Sequence, residues 1–219
     1  MNNGKITAVI GVRKGSERIV NKNIKPFNDT SLLENKIKIL QKVDNLDEIV
    51  VTTDCDKMFA LAEQLGAIAI KRPDYYTSND CPGSENLEFI ATQVKTDYIL
   101  YTPVTSPLVK SETYEDIINT FRNLDDEYDS VVSMNYLKDF LWENNEPLNY
   151  DPLNCPRSQD MNSIFRLNFI SCWIFLAISE WAIARLSKYA KSLYKIPLSR
   201  IFKENLFAIF LARAPLPEA

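Results

Sequence analysis

The chain has no histidine. That removes the Ser-His-Asp triad, Cys-His nucleophiles, H-E-x-x-H zinc sites and imidazole proton shuttles, and leaves carboxylates, lysine, arginine, hydroxyls or a metal on oxygen ligands. Glycine is scarce: there are five, none after Gly83, so the C-terminal part lacks the usual device for tight loops. The four cysteines, Cys55, Cys81, Cys155 and Cys172, lie far apart without a C-x-x-C pair, which reads as free thiols in a reducing cytosol rather than a disulfide framework. There is no basic block, since 25 Lys+Arg stand against 29 Asp+Glu, and this argues against nucleic acid as partner. No apolar run reaches the roughly 20 residues of a spanning helix. The longest, Phe169 to Ala184, carries Glu180, and the N-terminal ITAVIGV is too short for a signal peptide. The expectation is a cytoplasmic protein without membrane contact, in a single domain over residues 1–219.

What is present is a folded protein's balance of 46% hydrophobic and 25% charged residues. Ile6 to Val12 is a continuous β-branched run, as in a strand buried on both faces, and the polar loop Arg13 to Asn23 follows it. Ser31 then opens SLLENKIKILQKV, with Leu32, Leu33, Ile37, Leu40 and Val43 at helical spacing behind a capping residue. Asp47 to Thr53 reads as a strand, Lys57 to Leu65 as a helix closed by Gly66, and Ala67 to Ile70 as a short strand. After a polar stretch from Arg72 to Ser84 come a helix at Glu85 to Val94, a strand at Tyr98 to Thr102, a helix at Glu112 to Leu124 and a strand at Ser130 to Met134. This alternation predicts an α/β fold with a mainly parallel sheet covered on both faces. Ligands bind such sheets at the carboxyl ends of the strands, which selects the loops Arg13 to Asn23, Thr53 to Asp56 and Pro103 to Lys110. Asn135 to Arg166, with Trp142, paired asparagines and three prolines, reads as an excursion from the sheet.

The first loop, VRKGSERIVNKN, gathers Arg13, Lys14, Arg18 and Lys22 with Gly15, Ser16 and Asn23 just after a buried strand. Cations beside exposed backbone suit a polyphosphate: arginine forks onto phosphate oxygens, lysine adds a point charge, and glycine lets backbone N–H groups approach. A solvated basic turn is the alternative. The Walker order is absent, and Gly11 and Gly15 are out of G-x-G-x-x-G register.

VRKGSERIVNKNIKPF, IVVTTDCD, the KRP at Lys71 to Pro73, the TSPL at Thr105 to Leu108, and PRSQD through FRLN at Pro156 to Asn168 occur in one order over about residues 5–168. Together they resemble the acylneuraminate cytidylyltransferases, also called CMP-N-acetylneuraminate synthetases. The resemblance implies a three-layer αβα sandwich with a Rossmann-like sheet of the nucleotide-diphospho-sugar transferase type. It also implies Mg²⁺ as cofactor, CTP and a sugar acid as substrates, and a homodimer through the 135–166 excursion, where Phe140, Trp142 and Tyr150 suit an interface. In such enzymes a sugar-acid hydroxyl attacks the α-phosphorus of CTP and pyrophosphate leaves. Carried over by residue, Arg13 and Lys22 are the catalytic cations, and Arg13, Gly15, Ser16, Arg18, Lys22 and Asn23 hold the nucleotide. Arg72 and Ser84 fall where the cytosine is read. Thr105, Ser106, Arg157, Gln159, Arg166 and Asn168 fall on the sugar-acid side. The related 3-deoxy-manno-octulosonate cytidylyltransferases are the alternative within the class.

Three departures stand out. Glu17 occupies a position where many members have Lys or Arg, and Pro103 one where many have Gln. After about residue 168 the chain diverges: no aspartate follows Asp160, Glu180, Glu204 and Glu218 are the only acids there, and the family's late metal-holding Ile-Asp-Ile-Asp segment has no counterpart. The metal ligands are therefore unassigned, and a catalytically impaired nucleotide- or sugar-acid-binding homologue is the second reading. Thr53-Asp54 is read either as a nucleotide contact or as an Asx turn or cap for the helix at Lys57.

Overall fold

The structure, a computed structural model, describes residues 4–15, 19–124, 130–161, 164–167, 173–176 and 208–212. The chain opens with β1 (Ile6–Gly11), then the small hairpin β2 (Pro26–Phe27) and β3 (Thr30–Ser31), which turns through Asn28 at φ 52°. Next come α1 (Leu32–Leu40), β4 (Glu48–Thr53), α2 (Asp56–Gln64), β5 (Ile68–Lys71), α3 (Gly83–Gln93), β6 (Tyr98–Tyr101) and α4 (Ser111–Arg122). Beyond them lie β7 (Ser130–Leu137), β8 (Trp142–Glu143), β9 (Glu146–Pro147), β10 (Ile164–Leu167), β11 (Trp173–Leu176) and β12 (Ala208–Ala212).

The main sheet runs β10-β7-β11-β6-β1-β4-β5, with β12 also on β7. Its β6-β1-β4-β5 half is parallel, and every pairing beyond β6 is antiparallel. The mainly parallel sheet expected from the alternation is thus parallel across four strands. Side chains of β1 alternate between two cores. Ile6, Ala8 and Ile10 join Val12 and residues of α1, α2 and α4 on one face, while Val9 joins Val50, Ile99 and the α3 residues Ile90 and Ala91 on the other. Helices on both faces make the three layers.

Local chemistry explains the element ends. Ser31 Oγ accepts from Glu34 N at 3.2 Å, satisfying an orphan donor at the start of α1. At the end of α2, Gly66 takes φ +80° while its N–H donates to Glu63 O and that of Ala67 to Ala62 O. These are the two bonds of a Schellman motif, whose left-handed residue is cheapest as glycine. The paired asparagines of the excursion, Asn144 and Asn145, both have positive φ, 49° and 66°. They form the tight turn between β8 and β9, where that conformation matches the strands' twist.

From β1 the chain steps outward to β4 and β5 through α1 and α2. It then returns through α3, on the opposite face, to β6 on the other side of β1. Strand order reverses at β1, and such a reversal leaves a crevice at the carboxyl ends of the strands on either side of it.

Candidate active site

A cleft of about 480 Å³ opens at that reversal. One wall is the backbone leaving β1 and the loop after it, with Gly11, Val12, Arg13, Gly15, Ile19, Lys22 and Asn23. The other is the exit from β6, with Pro103, Val104 and Thr105. Among the sequence-predicted residues, then, Arg13, Gly15, Lys22, Asn23 and Thr105 meet around one space. Ser16, Arg18 and Asn168 lie outside the described residues.

The first loop is held from below. Val12 N donates to Thr52 O at 3.0 Å, continuing the ladder past β1, and Asp54 Oδ1 accepts from Lys14 N at 2.8 Å. Asp54 therefore caps no helix. The residue before α2 is Cys55, without a side-chain capping bond, and Thr53 Oγ1 accepts from Cys55 N instead. Asp54 serves the cleft by fastening the loop to the end of β4. Asn23, buried, donates through Nδ2 to Arg13 O at 3.3 Å and so pins the loop's start from its far end. Arg13 Nη1 donates to Thr77 O at 2.7 Å. The Lys22 ammonium has no hydrogen bond or ion pair among the described residues. Arg13 and Lys22 thus line the cleft with no carboxylate bonded to either among the described residues.

Arg72 comes from the end of β5, two strands away, and is 4% exposed. Its Nη2 donates to Val12 O at 2.6 Å and its Nη1 to Asn86 Oδ1 at 3.0 Å, while Nε has no partner among the described residues. Burial pushes the guanidinium's pKa down, opposed by the nearby Tyr101 and Asp54. Tyr101, whose own pKa burial raises, closes over Gly11. A Cβ on Gly11 would stand 3.0 Å from Tyr101 Oη and 3.6 Å from Arg72 Nη1, so any side chain here would push the Tyr101 hydroxyl aside by a few tenths of an ångström. Ser84, by contrast, is exposed in the first turn of α3 and does not line the cleft.

On the β6 side, Thr105 is exposed to the cleft, but Ser106 is buried and turned away from it. Ser106 Oγ donates to Pro103 O at 3.1 Å and accepts from Lys36 Nζ at 3.0 Å. Sequence reading missed Lys36, a fully buried lysine on α1. The signal was there: Lys36 occupies the apolar stripe formed by Leu33, Ile37 and Leu40.

The sugar-acid candidates of the excursion do not line the cleft. Arg157 is exposed, with Nε on Asp160 Oδ2 at 2.6 Å; Gln159 is exposed, with its carbonyl accepting from Lys138 Nζ at 2.6 Å; Arg166 is exposed on β10. Phe140 and Trp142 are exposed as expected. Tyr150 is only half-buried between them, with ring centroids 4.8 and 6.2 Å from theirs.

No group of three carboxylate, thiol or imidazole side chains that could hold a metal occurs among the described residues. Asp54, which touches the first loop, accepts from Lys14 N through Oδ1 alone. These residues do not by themselves make a Mg²⁺ cage. No helix among the described residues is long and apolar enough to cross a membrane, and most of the Phe169 to Ala184 run lies outside them.

Residues 7–170 match the family model described as cytidylyltransferase, and the chain belongs to that family. It is similar to the N-acylneuraminate cytidylyltransferase of Escherichia coli O18:K1:H7 (strain RS218 / NMEC), at 31% identity over 134 residues, 59% of this chain and 31% of the relative. It is also similar to the N-acylneuraminate cytidylyltransferase of Oncorhynchus mykiss, at 26% identity over 71% of this chain and 38% of the relative. The matched part spans only about a third of either relative's length. Among solved structures, a CMP:2-keto-3-deoxy-manno-octonic acid synthetase complexed with CTP shares the fold. Its TM-score is 0.59 at 15% identity, over 86% of this chain and 78% of that one.

Proposed function

We propose that the chain transfers the cytidylyl group of CTP to a hydroxyl of a sialic-acid-like sugar acid, forming the CMP-sugar and releasing pyrophosphate. The observation that carries this reading is the cleft at the strand-order reversal, with the Arg13–Lys22 loop on one wall and Thr105 on the other. In-line displacement at phosphorus builds charge on non-bridging and leaving oxygens. Fixed cationic donors stabilise that charge, so little else is required of the protein and histidine is dispensable.

In this reading Arg13 and Lys22 hold the triphosphate, with Ser16 and Arg18 extending the loop. Gly15 leaves backbone open to a phosphate, and Asn23 acts by fixing Arg13. Arg72 and Ser84 belong to the base side, Arg72 shaping the floor through Val12 O. Thr105 faces the acceptor. Arg157, Gln159, Arg166 and Asn168 carry the groups suited to a sugar acid, since a carboxylate takes an arginine fork and hydroxyls take amides, and the first three stand exposed outside the cleft. Mg²⁺, when bound with CTP, supplies charge neutralisation on the phosphates. The exposed aromatics of the excursion support a homodimer.

The test is pyrophosphate release with CTP, Mg²⁺ and a panel of N-acetylneuraminate, legionaminate, pseudaminate and octulosonate. Release dependent on CTP and on one of the acids is expected. Absence of both release and CTP binding would overturn the reading. CTP binding without release would favour the second reading, an impaired homologue.

A further inference from the structure

We infer that Lys36 is a positioning residue that holds the acceptor-side wall of the cleft from behind. The assignment of that wall to the acceptor rests on the function proposed above. Lys36 is fully buried on the core face of α1, a place that packing alone would give to an aliphatic side chain. An ammonium is tolerated in such a place only with its N–H groups satisfied. It has three donors, and they reach Ser106 O at 3.0 Å, Ser106 Oγ at 3.0 Å and Tyr114 Oη.

These acceptors are tied to the loop at both ends. Ser106 Oγ donates on to Pro103 O at 3.1 Å, and Tyr114 Oη pairs with Thr102 Oγ1 at 3.0 Å. The neighbouring Asn35 donates through Nδ2 to Pro107 O at 3.0 Å. Two consecutive side chains of α1 therefore grip two consecutive carbonyls of the segment that follows β6. Pro103, Val104 and Thr105, the part of that segment left between the anchors, line the cleft, while Lys36 does not. Lys36 thus sets where Thr105 stands without touching a ligand. Displacements of about 1 Å in such a wall cost reactivity out of proportion to their size.

The test uses Lys36→Met, which keeps the stem and removes the donors, and Tyr114→Phe, which keeps the ring and removes only the hydroxyl. Hydrogen exchange on the ligand-free full chain should show the amides of Val104, Thr105, Ser106 and Leu108 exchanging about tenfold faster in both variants, with Val12 and Lys14 unchanged. In turnover, the KM for the sugar acid should rise about tenfold while that for CTP stays within about twofold. If Lys36→Met fails to fold, Tyr114→Phe decides. Unchanged exchange at the four amides in every folded variant, or CTP and sugar-acid binding weakening together, would overturn the inference. The exchange arm needs no ligand, so failure of the proposed reaction in the unmodified chain leaves it decisive.

Discussion

Replacing Lys22 with alanine takes a cation from the cleft wall without breaking any side-chain hydrogen bond among the described residues. Replacing Arg13 with alanine takes a second cation and also removes the 2.7 Å bond from Nη1 to Thr77 O, which ties the first loop to the segment after Arg72. A charge-assisted hydrogen bond to phosphate contributes about 1.5–3 kcal/mol, so each variant should weaken CTP binding by that amount, about 12- to 150-fold in Kd. Stability should separate them. Lys22→Ala should leave the urea midpoint in place, whereas Arg13→Ala should lower unfolding free energy by about 0.5–1.5 kcal/mol through the lost carbonyl contact. Titration calorimetry at two salt concentrations supplies the binding half, and the loss should shrink at high salt because these donors are partly exposed. Unchanged CTP affinity in both variants would refute a triphosphate site in this loop. Equal destabilisation of both would refute the hydrogen-bond assignment.

Arg72→Met strands Val12 O and Asn86 Oδ1, an effect offset in part because a buried cation also disappears, and a net loss of about 2 kcal/mol is expected in urea unfolding at constant m; an unmoved midpoint would count against it. Arg157→Ala should leave stability nearly unchanged, because its partner Asp160 forms an exposed pair, and should weaken sugar-acid binding while sparing CTP; the reverse pattern would move Arg157 to the nucleotide side. Gly66→Ala should cost about 1 kcal/mol because it places a Cβ in the left-handed region, and a variant as stable as the parent would contradict the Schellman ending. Among the described residues, three carboxyls sit below their ordinary pKa: Glu34 through its bond from Lys38, Asp56 through Lys71, and Glu112 through its own backbone N–H. Groups depressed in the fold stabilise it above their unfolded pKa and lose that contribution as pH falls through the folded one. The thermal midpoint should therefore drop between about pH 5 and pH 3, less steeply in high salt, and a flat profile there would refute the pairings.

The parallel half of the sheet was legible because each of its signals is local. The buried run at Ile6, the Ser31 cap, the Gly66 ending and the apolar stripe of α4 (Tyr114, Ile117, Ile118, Phe121) each speak for a single element, and alternation then orders the elements. The antiparallel half has no such local signature. Strand β7 reads as ending at Met134 but runs to Leu137, because β10 pairs with its far end, from Leu137 back to Met134. A strand's length set by its partner cannot be read from the strand itself.

The site divides along the same line. Arg13, Lys22 and Asn23 stand within one contiguous loop, so residue type and spacing mark that loop as a candidate phosphate site, while their individual roles rest on the family resemblance. Arg72 reaches Val12 across 60 residues of chain and Asp54 reaches Lys14 across 40. At Asp54 a local rule for helix caps competed with this distant bond, and the distant bond won because the loop's exposed amide lies directly over the end of β4. Lys36 is the sharper case. Helical periodicity counts hydrophobic positions and passes over a lysine among them as noise, although a charge in the middle of a buried stripe needs acceptors to meet it. Those acceptors come from Ser106 and Tyr114, 70 and 78 residues away, on the segment leaving β6 and on the helix that follows. A polar residue that breaks an otherwise apolar helical face is therefore itself a signal, pointing to a loop that the helix has to hold, and here that loop forms one wall of the cleft.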